Sequence, residues 1–161
     1  MNARVPGQRR AKSSNASPRP DNLQAVNDVL TNSFAYKNGD QAHPIFCFRH
    51  LHPHFNTQQK GLTARDKANL LDRIANLSGM SWSDIKQSPR HQYGFELIKV
   101  KQLKPKLPQV MPGAPDEHGD YDKIWVFRRD GKKHVFAGVR IGAVFHLVFI
   151  EAKFGDLYEH D

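Results

Sequence analysis

The segment that most constrains the fold is 143–150, AVFHLVFI, in which His146 is the only polar residue. A strand that is apolar on both faces sits in the interior of a sheet and is covered on both sides. The residues before it say what its neighbours are. Segments 124–129 and 133–141 alternate in the manner of strands and flank Arg129-Asp130-Gly131-Lys132, a strong signal for a tight type I′ hairpin. Gly142 permits a second tight turn into 143–150. The pattern predicts a meander of consecutive antiparallel strands.

Two helices precede it. Leu70, Leu71, Ile74 and Leu77 form one apolar stripe over 64–78. Thr63 is placed as N-cap, with Asp66 as the capping-box acid three residues later. Gly79 suits the left-handed position after a helix. A short second helix starts at once. Ser81 and Asp84 repeat the capping-box spacing, Met80 and Ile85 occupy the hydrophobic-staple positions, and Pro89 ends it. This corner lacks the length and the side chains of a DNA-reading helix. Upstream, 45–51 (IFCFRHL) reads as a strand bounded by Pro44 and Pro53, and 93–100 as another. Residues 21–34 carry a weak helical spacing. The fold class is α+β, a helical pair on a small antiparallel sheet in the order β-α-α-β-β-β-β. The expected division is a disordered basic arm at 1–20, a helix and linker at 21–40, and one domain at 41–161.

Charge narrows the function classes. The 161 residues include 24 Lys and Arg against 16 Asp and Glu, a net charge of +8. Five of these units belong to Arg4, Arg9, Arg10, Lys12 and Arg19, in an arm too poor in apolar residues to offset its ordering entropy. Such an arm either touches nucleic acid by counterion release or serves as a solubilising tail. In the rest of the chain, basic stretches at 86–106 and 123–140 flank an acidic loop, 112–122, with Asp116, Glu117, Asp120 and Asp122. No apolar run has the length needed to span a bilayer, and the first residues lack the apolar core of a secretory signal. The expected location is cytoplasmic. The single cysteine, Cys47, excludes an internal disulfide framework.

The series IFCFRHL, ANLLDRIANLSGMSWSDI and VFRRDGKKHVFAGVRIGAVFHLVFIEAKFGDLYEHD resembles a family of uncharacterised small bacterial and phage-associated proteins, over about 41–161. That resemblance implies a fold more than a chemistry. At the level of topology the chain also resembles the RelE/ParE toxin superfamily, whose members are small and basic with a helical pair on an antiparallel sheet. The residues that carry this likeness are Arg128, Arg129, Lys132 and Lys133 on the hairpin, Arg140 on the next strand, and the late Tyr158 and His160. It implies ribonucleases that drive a ribose 2′-hydroxyl onto the adjacent phosphate.

Individual residues carry two readings each. Arg128, Arg129, Lys133 and Arg140 are the candidate phosphate contacts, since a guanidinium forks onto phosphate oxygens. If Arg128 faces Lys133 across the hairpin, like charges crowd unless solvent, the acidic loop or an anionic ligand offsets them. The structural reading is a solvated hairpin face. His146, Tyr158 and His160 are the candidate proton-transfer groups. For His146 the structural reading is a buried neutral imidazole. His50, His52 and His54 alternate in RHLHPHF, which on a strand would put them on one face, and His50 and His52 are a lesser candidate for a metal site. Cys47 reads as inert. The function expected is a small basic RNA-binding or RNA-cleaving protein of toxin or phage-defence type, working without metal or other cofactor. Its partners would be RNA or another polyanion and a cognate antitoxin or other protein, with no membrane. The alternative is a non-enzymatic interaction module with a basic tether.

Overall fold

A computed structural model of the chain describes residues 39–112, 121–130 and 133–159. The basic arm, the weak helical segment at 21–34, loop residues 113–120, Gly131, Lys132 and His160 lie outside the described residues.

Five strands form one sheet: β1 (Ile45–Cys47), β2 (Phe95–Lys99), β3 (Lys123–Arg128), β4 (Val135–Ile141) and β5 (Val144–Ile150). Helices α1 (Ala64–Ser78) and α2 (Trp82–Gln87) fall between β1 and β2. The spatial order is β1-β5-β4-β3-β2. Strands β2 to β5 are antiparallel neighbours, but β1 runs parallel to β5. The class is α+β as expected, whereas the sheet is mixed and not wholly antiparallel. The long connection from β1 through both helices returns the chain to the far edge, so β1 approaches β5 from the opposite side.

β1 ends at Cys47 and not at Leu51. Beyond it the chain leaves regular pairing but stays on β5. His52 N–H donates to the Val148 carbonyl at 2.7 Å, and Ile150 N–H donates to the Phe55 carbonyl at 2.9 Å. A bulge explains the first contact. Ala137 faces Phe149 while the next residue, Gly138, faces Leu147, so Val148 is an extra residue on β5. Its carbonyl is free for His52.

The bulge also accounts for the apolar run. Phe145, Leu147 and Ile150 pack under the helices with Leu70, Ile74, Leu77, Trp82, Ile85, Phe127 and Phe136. Val148 and the adjacent Phe149 both face the other side, with Ile124, Val126, Val135, Ala137, Val139 and Leu157. That second face is covered by Phe55, Leu103, Leu107 and Met111, from extended segments. β5 is therefore central and covered on both sides.

Both capping boxes are present. The Thr63 hydroxyl accepts from Asp66 N–H and the Ser81 hydroxyl from Asp84 N–H, while each acid takes the N-cap backbone N–H. Two helical details differ from the expectation. Leu71 is exposed at the rim of the stripe. Gly79 has φ −78°, in the right-handed region, because Met80 turns directly into the Ser81 cap with its N–H on the Leu77 carbonyl. Glu151, fully buried just after β5, accepts from the N–H groups of Val135, Gly155 and Leu157. It fastens the C-terminal segment beneath the sheet.

Candidate functional site

The candidate residues do not converge. They separate into distinct clusters, and register decides which.

Arg128 is the last residue of β3 and faces Val135, not Lys133. The like-charge pair expected there does not form, because β4 starts two residues later than the sequence suggested. Arg128 lies instead on the face away from the helices, in a small recess of about 90 Å³ with Arg90, Glu96, Gln102 and Tyr158. The Tyr158 hydroxyl donates to Glu96 Oε1 at 2.7 Å, and Arg90 Nη1 donates to Glu96 Oε2 at 3.1 Å. Burial, and then the Glu96 hydrogen bond, push the Tyr158 phenol well above its ordinary pKa. A phenol held in this way donates a hydrogen bond and is a poor base. Arg128 and Tyr158 thus meet, in a recess where Arg90 and Arg128 are set against Glu96 and Glu159.

Arg129 points the other way. Its side chain is fully buried, with Nη2 2.9 Å from Asp66 Oδ1 and Nη1 2.7 Å from the Glu151 carbonyl. As a phosphate contact it is corrected: both terminal nitrogens are committed inside the protein. Lys133 is exposed, with its ammonium 5.5 Å from the Phe154 ring centre.

Arg140 lies on the helix face of β4. Its guanidinium is 4.5 Å from the Trp82 ring centre and 5.6 Å from that of Trp125. It also pairs with Asp40 at 2.8 Å and donates to the carbonyls of Gly39 and Gly142. Lys86 and then Arg140 hold the Asp40 carboxyl below its ordinary range. Arg140 is part of the packing over the tryptophans.

His146 is on the opposite face, beside Val139 in register. Arg128 and His146 share that face but are four positions apart along β4, roughly 13 Å at strand spacing. No single cleft therefore collects Arg128, Arg140 and His146. The His146 ring lies edge-on to His50, with centres 5.5 Å apart, and its Nδ1 is buried with no hydrogen-bond partner among the described residues. Burial, then His50, lower its pKa. His160 lies outside the described residues.

His50 and His52 line an open groove of about 510 Å³ between segments 49–53 and 107–110. His50 Nδ1 is 3.1 Å from the Val110 carbonyl, and His52 Nδ1 accepts from His54 N–H at 3.1 Å. Each imidazole thus spends one ring nitrogen on the backbone. Among the described residues no group of three or more His, Cys, Asp or Glu side chains is placed to hold a metal ion. The described residues thus place no third ligand beside His50 and His52.

One feature was missed from sequence. Lys99 and Lys123 are directly opposed at one end of the β2–β3 pair, and both are exposed. Neither makes an ion pair among the described residues. Lys101 and Lys106, also exposed and without an ion pair among the described residues, follow on the same stretch of chain. The signal was present as a basic run at 86–106, but register is needed to put Lys123 opposite Lys99.

No protein-family model, curated protein or solved structure matches the chain. Among the described residues no helix is long and apolar enough to cross a membrane.

Proposed function

We propose that this is a small basic RNA-binding protein whose folded part engages phosphates through the lysine-rich end of the β2–β3 pair. The observation that carries this reading is the Lys99–Lys123 cross-strand pair. Like charges set directly opposite each other destabilise a strand pair. Among the described residues neither lysine forms an ion pair that would offset the repulsion. Phosphates would relieve it, and Lys101 and Lys106 extend the same basic track.

Binding, and not cleavage, is the activity this arrangement favours. Cleavage of the RelE type needs phosphate-holding and proton-transfer groups in one cleft; Arg128, Arg140 and His146 do not share one, and Tyr158, which does meet Arg128, is a phenol held protonated and a poor base. The alternative of a protein-interaction module draws on the open edge of β2, where Leu97 is exposed. Lys99 on that same edge works against strand addition, as lysines on edge strands do.

The test is the salt dependence of single-stranded RNA binding by the full chain and by the Lys99→Gln/Lys123→Gln double variant. Each lost phosphate contact on a single strand lowers the slope of log K against log salt by about 0.7, so the variant should lose about 1.4. The arm is common to both proteins and cancels. Equal slopes would overturn the reading. Induced expression with inspection of total RNA tests the toxin expectation, and degraded RNA in the wild type alone would restore cleavage.

A further inference from the structure

We infer that the groove between segments 49–53 and 107–110 receives one unpaired nucleotide of the bound RNA. This rests on the RNA-binding reading and names where a base would go.

The groove's chemistry is that of a site for a planar, anionic ligand. Among the described residues its polar side chains are Arg49, His50, His52 and Gln109, with no carboxylate in the lining. Its remaining walls are apolar, from Leu51, Leu107 and Val110 among others. About 510 Å³ is within the usual range for small-ligand sites. Arg49 is exposed, as is Lys106, the residue immediately before the second wall. Neither has an ion-pair partner among the described residues. An exposed cation therefore stands at the start of one wall segment and next to the start of the other, and Lys106 leads back along the chain to Lys101 and Lys99.

The two imidazoles have defined roles. A backbone carbonyl can only accept, so His50 Nδ1 bears the proton facing Val110, which leaves Nε2 as the acceptor in the neutral ring. His52 Nδ1 accepts from His54 N–H, so in the neutral ring Nε2 bears the proton and is the donor. Burial, and then His54, lower the His52 pKa and favour that neutral form. His50 and His52, both in the groove lining, thus offer one acceptor and one donor when neutral, which is what the edge of a nucleobase presents in complement. Imidazole and guanidinium planes also stack on exposed bases. His52 is held in place from below by Phe149, with ring centres 5.3 Å apart, and by its own N–H on the bulge carbonyl of Val148.

The experiment uses a single-stranded RNA carrying one 2-aminopurine, titrated into the full chain, with a duplex of the same sequence and free 2-aminopurine ribonucleotide as parallel arms. A fluorescence change is expected with the single strand only. His52→Ala and, separately, Val110→Phe should weaken binding about tenfold, the scale of one lost base stack, with an unchanged salt slope. Val110 is 72 % exposed, so its replacement fills the groove without disturbing the core, and it decides the matter if His52→Ala unfolds. If RNA binds but neither variant changes affinity or fluorescence, the inference falls and the lysine reading stands. An equal response from duplex or from free nucleotide overturns it as well. If wild type binds no RNA at any salt concentration, both readings fall.

Discussion

Asp66 holds the buried Arg129 guanidinium at 2.9 Å while the same carboxylate closes the capping box of α1. Its Oδ2 takes Thr63 N–H and hydroxyl, and its Oδ1 takes Arg129. One acid therefore ties the start of α1 to the end of β3. Asp66→Asn should cost about 3 kcal/mol, because it leaves a buried cation without its counter-charge. Thr63→Ala, which removes only the cap, should cost about 1 kcal/mol. Denaturant unfolding measures both, and equal losses would mean that the ion pair adds nothing. The Thr63 hydrogen bond first, and Arg129 among the smaller causes, hold the Asp66 carboxyl below its ordinary value. Its contribution is complete above the unfolded carboxylate pKa and is lost as pH falls through the lowered folded one.

Gly138 sits at the register shift opposite the bulge. A Cβ there would overlap the His146 carbonyl and come within 2.9 Å of the Phe145 ring. The obstacle is backbone in the middle of the sheet, which has no room to retreat. Gly138→Ala should destabilise by about 3 kcal/mol or prevent folding. A thermal melt within a few degrees of wild type would show that the bulge can absorb a methyl group.

His146 gives the fold a pH dependence with a definite sign. Its folded pKa is lowered by burial and by His50, so the unfolded chain takes the proton first as pH falls. Stability is complete above the ordinary histidine pKa of about 6.5 and declines as pH drops below it, until the folded form protonates too. His52, lowered by burial and His54, adds in the same direction. His146→Leu removes one of the two and also the unpartnered Nδ1. Urea midpoints compared at pH 7.5 and pH 5 should differ less in the variant than in wild type. An unaltered difference would place the titration elsewhere.

Arg140 separates structure from binding. Arg140→Ala loses the contacts with Trp82 and Trp125 and the pair with Asp40, and should lower stability by about 2 kcal/mol. Since its guanidinium is spent on the protein, the salt slope of RNA binding should not change. A slope reduced as far as in the Lys99/Lys123 variant would return Arg140 to the phosphate contacts.

Much of the local structure was legible in the chain. Caps, helix stripes and β-hairpin strands depend on residues three or four apart, and Thr63, Asp66, Ser81 and Asp84 announced α1 and α2 on that scale. The apolar run 143–150 announced a central strand covered on both sides. The candidate site was much less legible, because it depends on which residues face each other. A shift of two positions in the start of β4 moved Arg128 from Lys133 to Val135, and alternation along the strands sent Arg140 and His146 to opposite faces.

The sequence by itself determined that two capped helices and a run of antiparallel strands would form, because those choices follow from short-range sterics and hydrogen bonding. Only the tertiary structure decided what the charges do. Whether an arginine binds a phosphate or a carboxylate depends on which segment folds against it. Asp66, 63 residues away in sequence, claims Arg129, and Asp40, 100 residues away, claims Arg140. Lys99 and Lys123, both open to solvent, face each other across the β2–β3 pair, and that pairing exists only in the folded sheet.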